Sequence, residues 1–175
     1  MALVMTPPDA SAGQIVTQGG VLVLDTNIVL DLLVFGDPVA RALRQALDGG
    51  TVQWLATPAM RDELERVLAY SHILARLLAP STTHVRVLAQ FDQFSRTVAV
   101  PPGAAIRCSD SDDQMFIDLA VAHRASLLSK DRAVLSLHRR LAGVGVRASP
   151  ALEAPITSLV PAAMGTRRPQ TSYKP

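Results

Sequence analysis

Cysteine is almost missing from this chain: Cys108 is the only one in 175 residues. A disulfide within the chain is therefore excluded, and a cysteine-built zinc site is disfavoured. That scarcity accords with a reducing compartment. No Lys or Arg occurs in residues 1–40, so the basic start of a secretory signal is lacking. Long apolar runs are lacking too. The richest, from Val21 to Phe35, is interrupted by Asp25, Asn27 and Asp31 and falls short of a bilayer span. The net charge of +2 is small, and it neither demands nor excludes a nucleic-acid partner, because local patches outweigh the sum. His72, His84, His123 and His138 show no metal-ligand spacing. These absences lead us to expect a soluble, cytoplasmic protein with no membrane partner.

What is present reads as one globular domain. Hydrophobic residues make up 49% of the chain and charged residues 18%, enough to bury a sizeable core. Residues 1–20 are rich in small residues, Pro and Gly, and form the expected leader. From residue 156 onward the chain carries Arg167, Arg168 and Lys174 but no acid, and reads as a loose basic tail. Between them, residues 21–155 alternate two kinds of signal. Short apolar runs mark strands at VLVLD, VQWLA (52–56), TVAV (97–100), SLLS (126–129) and VGVRA (144–148). Helical stretches separate them, opened by Asn27, by Asp37-Pro38 and by Thr57-Pro58, the cap and first-turn proline signatures. Others are expected near 71–79 and 82–95, from Asp113 to Arg124 and from Arg132 to Leu141. All-apolar strands joined by helices imply an α/β fold with a parallel sheet covered on both faces. Sites in such folds form at the carboxyl ends of the strands.

Four acids fall there. Asp25 ends the first strand, in VLVLDTNIVLDLL. Glu63 lies in the helix after the second, Asp113 opens the helix after the third, and Asp131 follows the fourth, in LLSKD. Each alone has a structural explanation as a cap, a dipole partner or a solvated helix residue. Together they need a cation, since two carboxylates ~5 Å apart at an effective dielectric of ~20 repel by about 3 kcal/mol. Mg²⁺ and Mn²⁺ prefer oxygen ligands, acidify a bound water and stabilise charge on a phosphoryl group. The chemistry indicated is metal-assisted phosphodiester hydrolysis.

VLVLDTNIVLDLL, then DELERVL (62–68), then RCSDSDDQMFIDLAVAHRASLLSKD (107–131) resembles the PIN domain nucleases, and within them the toxins of bacterial toxin–antitoxin pairs. The resemblance implies a three-layer α/β/α, Rossmann-like domain that cuts RNA with Mg²⁺ or Mn²⁺. It implies a cognate antitoxin protein and a homodimer as further partners. Asp25, Glu63, Asp113 and Asp131 match the family acids. Asn27 matches the polar residue that helps hold the first motif, and Ser129 the small hydroxyl before the last acid. Asp110 is a supporting candidate if its loop bends back. Ala133 departs from the pattern, since many relatives carry an Asp there, which leaves one metal or two open.

Other readings fit less well. A phosphatase or dehalogenase built on Asp25 wants an acid where Asn27 stands. A receiver module, which also uses a lysine such as Lys130, wants a paired acid beside the first strand. The remaining alternative is a non-catalytic PIN-like module that binds RNA or protein; the full set of acids argues against it.

Overall fold

A computed structural model describes residues 20–77 and 83–152 of the chain; the leader and the tail expected from the sequence lie outside this range, except for Gly20. Strand β1 (Val21–Leu24) leads into helix α1 (Thr26–Leu30), which widens into a π-helical segment, Asp31–Phe35. A short 3-10 turn (Pro38–Ala40) feeds α2 (Arg41–Asp48). Then come β2 (Gln53–Ala56), α3 (Pro58–Leu68), α4 (Ser71–Leu77), α5 (His84–Phe94) and β3 (Ser95–Thr97). The last third holds α6 (Gln114–His123), β4 (Ser126–Leu128), α7 (Arg132–Leu135), α8 (His138–Ala142) and β5 (Ala148–Ser149).

The strands form one parallel sheet in the order β3-β2-β1-β4-β5. From β1 the connections step outward through β2 to β3, then cross back to β4 on the other side of β1. Right-handed crossovers put the helices of these two directions on opposite faces, giving three layers. Packing agrees: α3 lies on α1 and α5, whereas α6 lies on β1 and β4. The central strand β1 is buried on both faces, as its uninterrupted apolar sequence requires. Leu22, Val23 and Leu24 meet Trp54 and Leu55 on one side and Leu127 and Leu128 on the other. Phe116, Ile117, Leu119 and Ala120 of α6 are fully buried. Across the sheet, Trp54 meets Phe91 edge to face, with ring centroids 4.7 Å apart.

Several boundaries differ from the sequence expectation. The third strand occupies 95–97 rather than 97–100. Its partner β2 turns into α3 at Thr57, so pairing ends with Val98 N–H donating to Ala56 C=O (2.9 Å). The fifth strand is only Ala148–Ser149, because Val144, Gly145 and Val146 spend their N–H groups on the carbonyls that end α8; Gly145 has φ +81°, which favours glycine. The helix expected over 132–141 is broken in two, where Ser136 Oγ bonds the Ala133 carbonyl. Asp25, not Asn27, caps α1: it is extended (φ −66°, ψ 151°) and its carboxylate accepts from Asn27 N–H. Among the described residues, no helix is long and apolar enough to cross a membrane.

Candidate active site

The reversal of strand order falls between β1 and β4, and a crevice opens beyond their carboxyl ends. Asp25 ends β1 there. Its N–H continues the sheet by donating to Leu128 C=O (2.9 Å). Its side chain is almost wholly buried, yet both oxygens are engaged. Oδ2 accepts from Ser129 Oγ at 2.6 Å, and Oδ1 from Asn27 N–H at 3.3 Å. Burial pushes the Asp25 pKa up; the Ser129 and Asn27 bonds oppose this, and Asp131 adds to the rise.

Glu63 reaches the same crevice from α3, a helix launched by extended Thr57 and Pro58 at its first position. Thr26 Oγ1, on the buried side of α1, donates to Glu63 Oε1 at 3.3 Å. The other oxygen, Oε2, is buried and has no hydrogen-bond partner among the described residues. Desolvation is the main cause of the raised Glu63 pKa, with Thr26 and Arg66 acting against it.

Asp113 precedes α6 with helical backbone angles (φ −81°, ψ −11°) and makes no capping bond. Its Oδ2 is likewise buried and without a partner among the described residues. Burial, then the charges of Asp25, Asp131, Asp110 and Glu63, lift its pKa to about 7. Its neighbours in DSDD behave differently. Asp112 is exposed, and Asp110 is exposed and folds back on its own loop, accepting from Asp112 N–H at 3.0 Å. Gln114 fixes the approach: it accepts from Cys108 N–H and donates to Ile106 C=O and to Asp118. Asp118 also takes Ala104 N–H at 2.8 Å.

Asp25, Glu63 and Asp113 line one cavity of about 470 Å³. Asp131 is not part of that lining. It caps α7 by accepting from Ala133 N–H at 2.6 Å, and its own N–H donates to Ser129 Oγ at 3.0 Å. Ser129 therefore links the two acids through one hydroxyl. Asn27 contributes its main-chain N–H, while its side chain is exposed on the cavity wall. Lys130 points away from this group, ion-paired to Asp31 at 2.6 Å and Asp37 at 3.1 Å. Among the described residues, no three His, Cys, Asp or Glu side chains form a ready metal-binding cluster. Sequence reasoning missed Thr26, Gln114 and Asp118. Thr26 carried a signal, since at the helix start it sits beside Asp25; the partners of Gln114 and Asp118 are loop backbone, which no motif announces.

A family model described as PIN domain matches residues 21–133. The chain belongs to the PIN domain family. That match covers β1 to β4 and ends within the first turn of α7, two residues after Asp131. No curated protein matches the chain in a sequence search. Among solved structures, that of VapBC2 from Rickettsia felis bound to a DNA fragment from their promoter is similar, with a TM-score of 0.49 and 12% identity. The similarity covers 73% of this chain and 98% of that one. Proteins with PIN domains are generally nucleases that use divalent metals.

Proposed function

We propose that this PIN domain is a Mg²⁺- or Mn²⁺-dependent endoribonuclease and acts as the toxin of a toxin–antitoxin pair in the cytoplasm. One observation carries the nuclease reading: Glu63 and Asp113, each with a buried carboxylate oxygen that has no hydrogen-bond partner among the described residues, line one cavity with Asp25 at the switch point of the sheet. An unpartnered buried carboxylate oxygen is costly, and a cation removes that cost. The acid wall offers oxygen donors, the set that suits Mg²⁺ and Mn²⁺. Mg²⁺ keeps several waters and is commonly held through one or two carboxylates, so a closed cage of three acids is not required.

Glu63 and Asp113 would hold the ion, with Asp25 and Asp131 adding charge and Asp25 within reach on the same wall. When bound, the ion supplies an acidified water and electrostatic stabilisation of the phosphoryl oxygens. The chain's own residues set the stage. Ser129 and the Asn27 N–H fix the Asp25 carboxylate, and Thr26 orients Glu63. Burial and the neighbouring acids lift the Asp113 pKa to about 7, and positive charge beside it favours the ionised form. The toxin role, with an antitoxin protein and a second copy as partners, is supported by the resemblance of the three motif segments.

The test is cleavage of labelled RNA by the purified chain with Mn²⁺ and with chelator. Metal-dependent cleavage by the wild type and none by Asp113→Asn is expected. Equal activity in chelator, or an Asp113→Asn chain as active as wild type, would remove the reading. Induced expression in a bacterial host tests the toxin role: growth arrest is expected from the wild type and not from Asp113→Asn.

A further inference from the structure

The carboxylates account for one wall of the cavity only. The rest of the lining carries rings: Phe35 at the end of the π-helical segment, Tyr70 between α3 and α4, and His72 in the first turn of α4. Phe35 and Tyr70 are 41% and 48% exposed. Exposed rings are common on protein surfaces; what needs a reason is their place, on the wall of a cavity shared with carboxylates. The main chain at Tyr70 is also held firmly. Its N–H donates to Val67 C=O at 3.0 Å, and its carbonyl accepts from Ile73 N–H at 2.9 Å and Leu74 N–H at 2.8 Å. The Tyr70 and His72 rings lie 6.0 Å apart, inclined by 34°. Buried Leu30 and Ile73 complete the apolar side.

We infer that this ring wall is a base-stacking subsite, in which an unpaired nucleobase beside the phosphate at the acid wall lies on Tyr70, flanked by Phe35 and His72. The inference rests on the nuclease reading and adds to it a binding residue. A ligand that fills this cavity must present a flat apolar group to one wall. To the other it must present oxygens compatible with a carboxylate-held cation. A nucleotide carries both, joined by one sugar. The cavity volume of about 470 Å³ lies within the range of small-ligand pockets, roughly 300–1,000 Å³. Every base has a π-face, so stacking of this kind tolerates any sequence. A duplex keeps its bases paired and stacked inside and gives none to Tyr70 without unpairing. The subsite therefore takes an unpaired base, and sequence preference arises elsewhere.

The experiment uses the full chain with Mg²⁺ and a short single-stranded RNA carrying 2-aminopurine at successive positions, read by stopped-flow fluorescence. A rapid quench preceding cleavage is expected at one position for wild type and Tyr70→Phe, and not for Tyr70→Leu, which keeps apolar bulk but no ring. Tyr70→Leu should weaken binding about five- to a hundredfold, the loss seen when a stacked base loses its ring. Because Tyr70 is half exposed, the variant should fold, and its circular dichroism and melting temperature check this. An abasic residue at the quenched position should weaken wild-type binding comparably, which needs no variant. Equal quenching and binding by Tyr70→Leu and Tyr70→Phe, or indifference to the abasic residue, would overturn the subsite while leaving the nuclease reading intact, and would turn the ring wall over to protein contact. A wild type that neither binds nor cuts RNA would overturn both.

Discussion

Asp113 is held in two conflicting ways: it sits at a helix start, where negative charge is favoured, and among acids that oppose its ionisation. Burial first, and then those acids, prevail, and its pKa rises from 3.8 to about 7. A raised acid binds its proton more tightly in the folded chain than in the unfolded one. Its contribution to stability is therefore full in acid and is lost as pH climbs from the ordinary carboxylate range to about 7. Asp25 and Glu63, also raised, act in the same direction. In chelator, Asp113→Asn should melt higher than wild type at pH 8, with the gain fading toward pH 4; thermal melts across that range give the comparison. Its neighbour separates charge from place. Asp112 is exposed, so Asp112→Asn should cost less than about tenfold in cleavage rate, under ~1.4 kcal/mol of barrier, while Asp113→Asn abolishes it. Ser129→Ala tests the buried hydroxyl. It leaves Asp25 Oδ2 without its 2.6 Å donor, so we expect a loss of about 1–3 kcal/mol in urea unfolding.

The loop before α6 and the turn after β4 are held differently. Gln114 pins the loop through hydrogen bonds to Cys108, Ile106 and Asp118. Gln114→Leu removes them together and should lower stability by about 2 kcal/mol, at roughly 0.5–1.5 kcal/mol per bond. The Lys130 pairs with Asp31 and Asp37 are partly exposed, so Lys130→Met should change stability by no more than about 1 kcal/mol. Both are read by urea unfolding. How far elements could be read in advance follows the same division. β1, β2 and β4 are apolar because they are buried on both faces, and their positions were plain from composition. β3 is Ser-Arg-Thr, set by its partner's length rather than its own pattern, so the apolar residues after it misled. The π-helical widening of α1 has no residue signature that separates it from an ordinary helix. Asp25, Glu63 and Asp113 were placed on one sheet edge by topology alone. Capping by Asp25 was already open from the sequence, whereas the link from Thr26 to Glu63 across 37 residues depends on atomic positions.

Taken whole, the molecule is a sheet with its acids gathered at one end, and a cation should act on it as a stabilising ligand. Adding Mn²⁺ should raise the melting temperature, by a free energy of about 2.7 kcal/mol at a hundredfold excess over Kd. Asp113→Asn should blunt that rise, and an indifferent melting temperature would count against a metal at the acid wall. The order β3-β2-β1-β4-β5 has one more consequence. Among the described residues the outermost strands are β3, three residues and all polar, and β5, two residues. An open strand edge is where one chain can graft onto the next, and such short, polar margins give little length for it. Runaway fibril growth by strand addition is thereby discouraged, and a homodimer of this chain would meet through its helical layers rather than by extending one sheet into another.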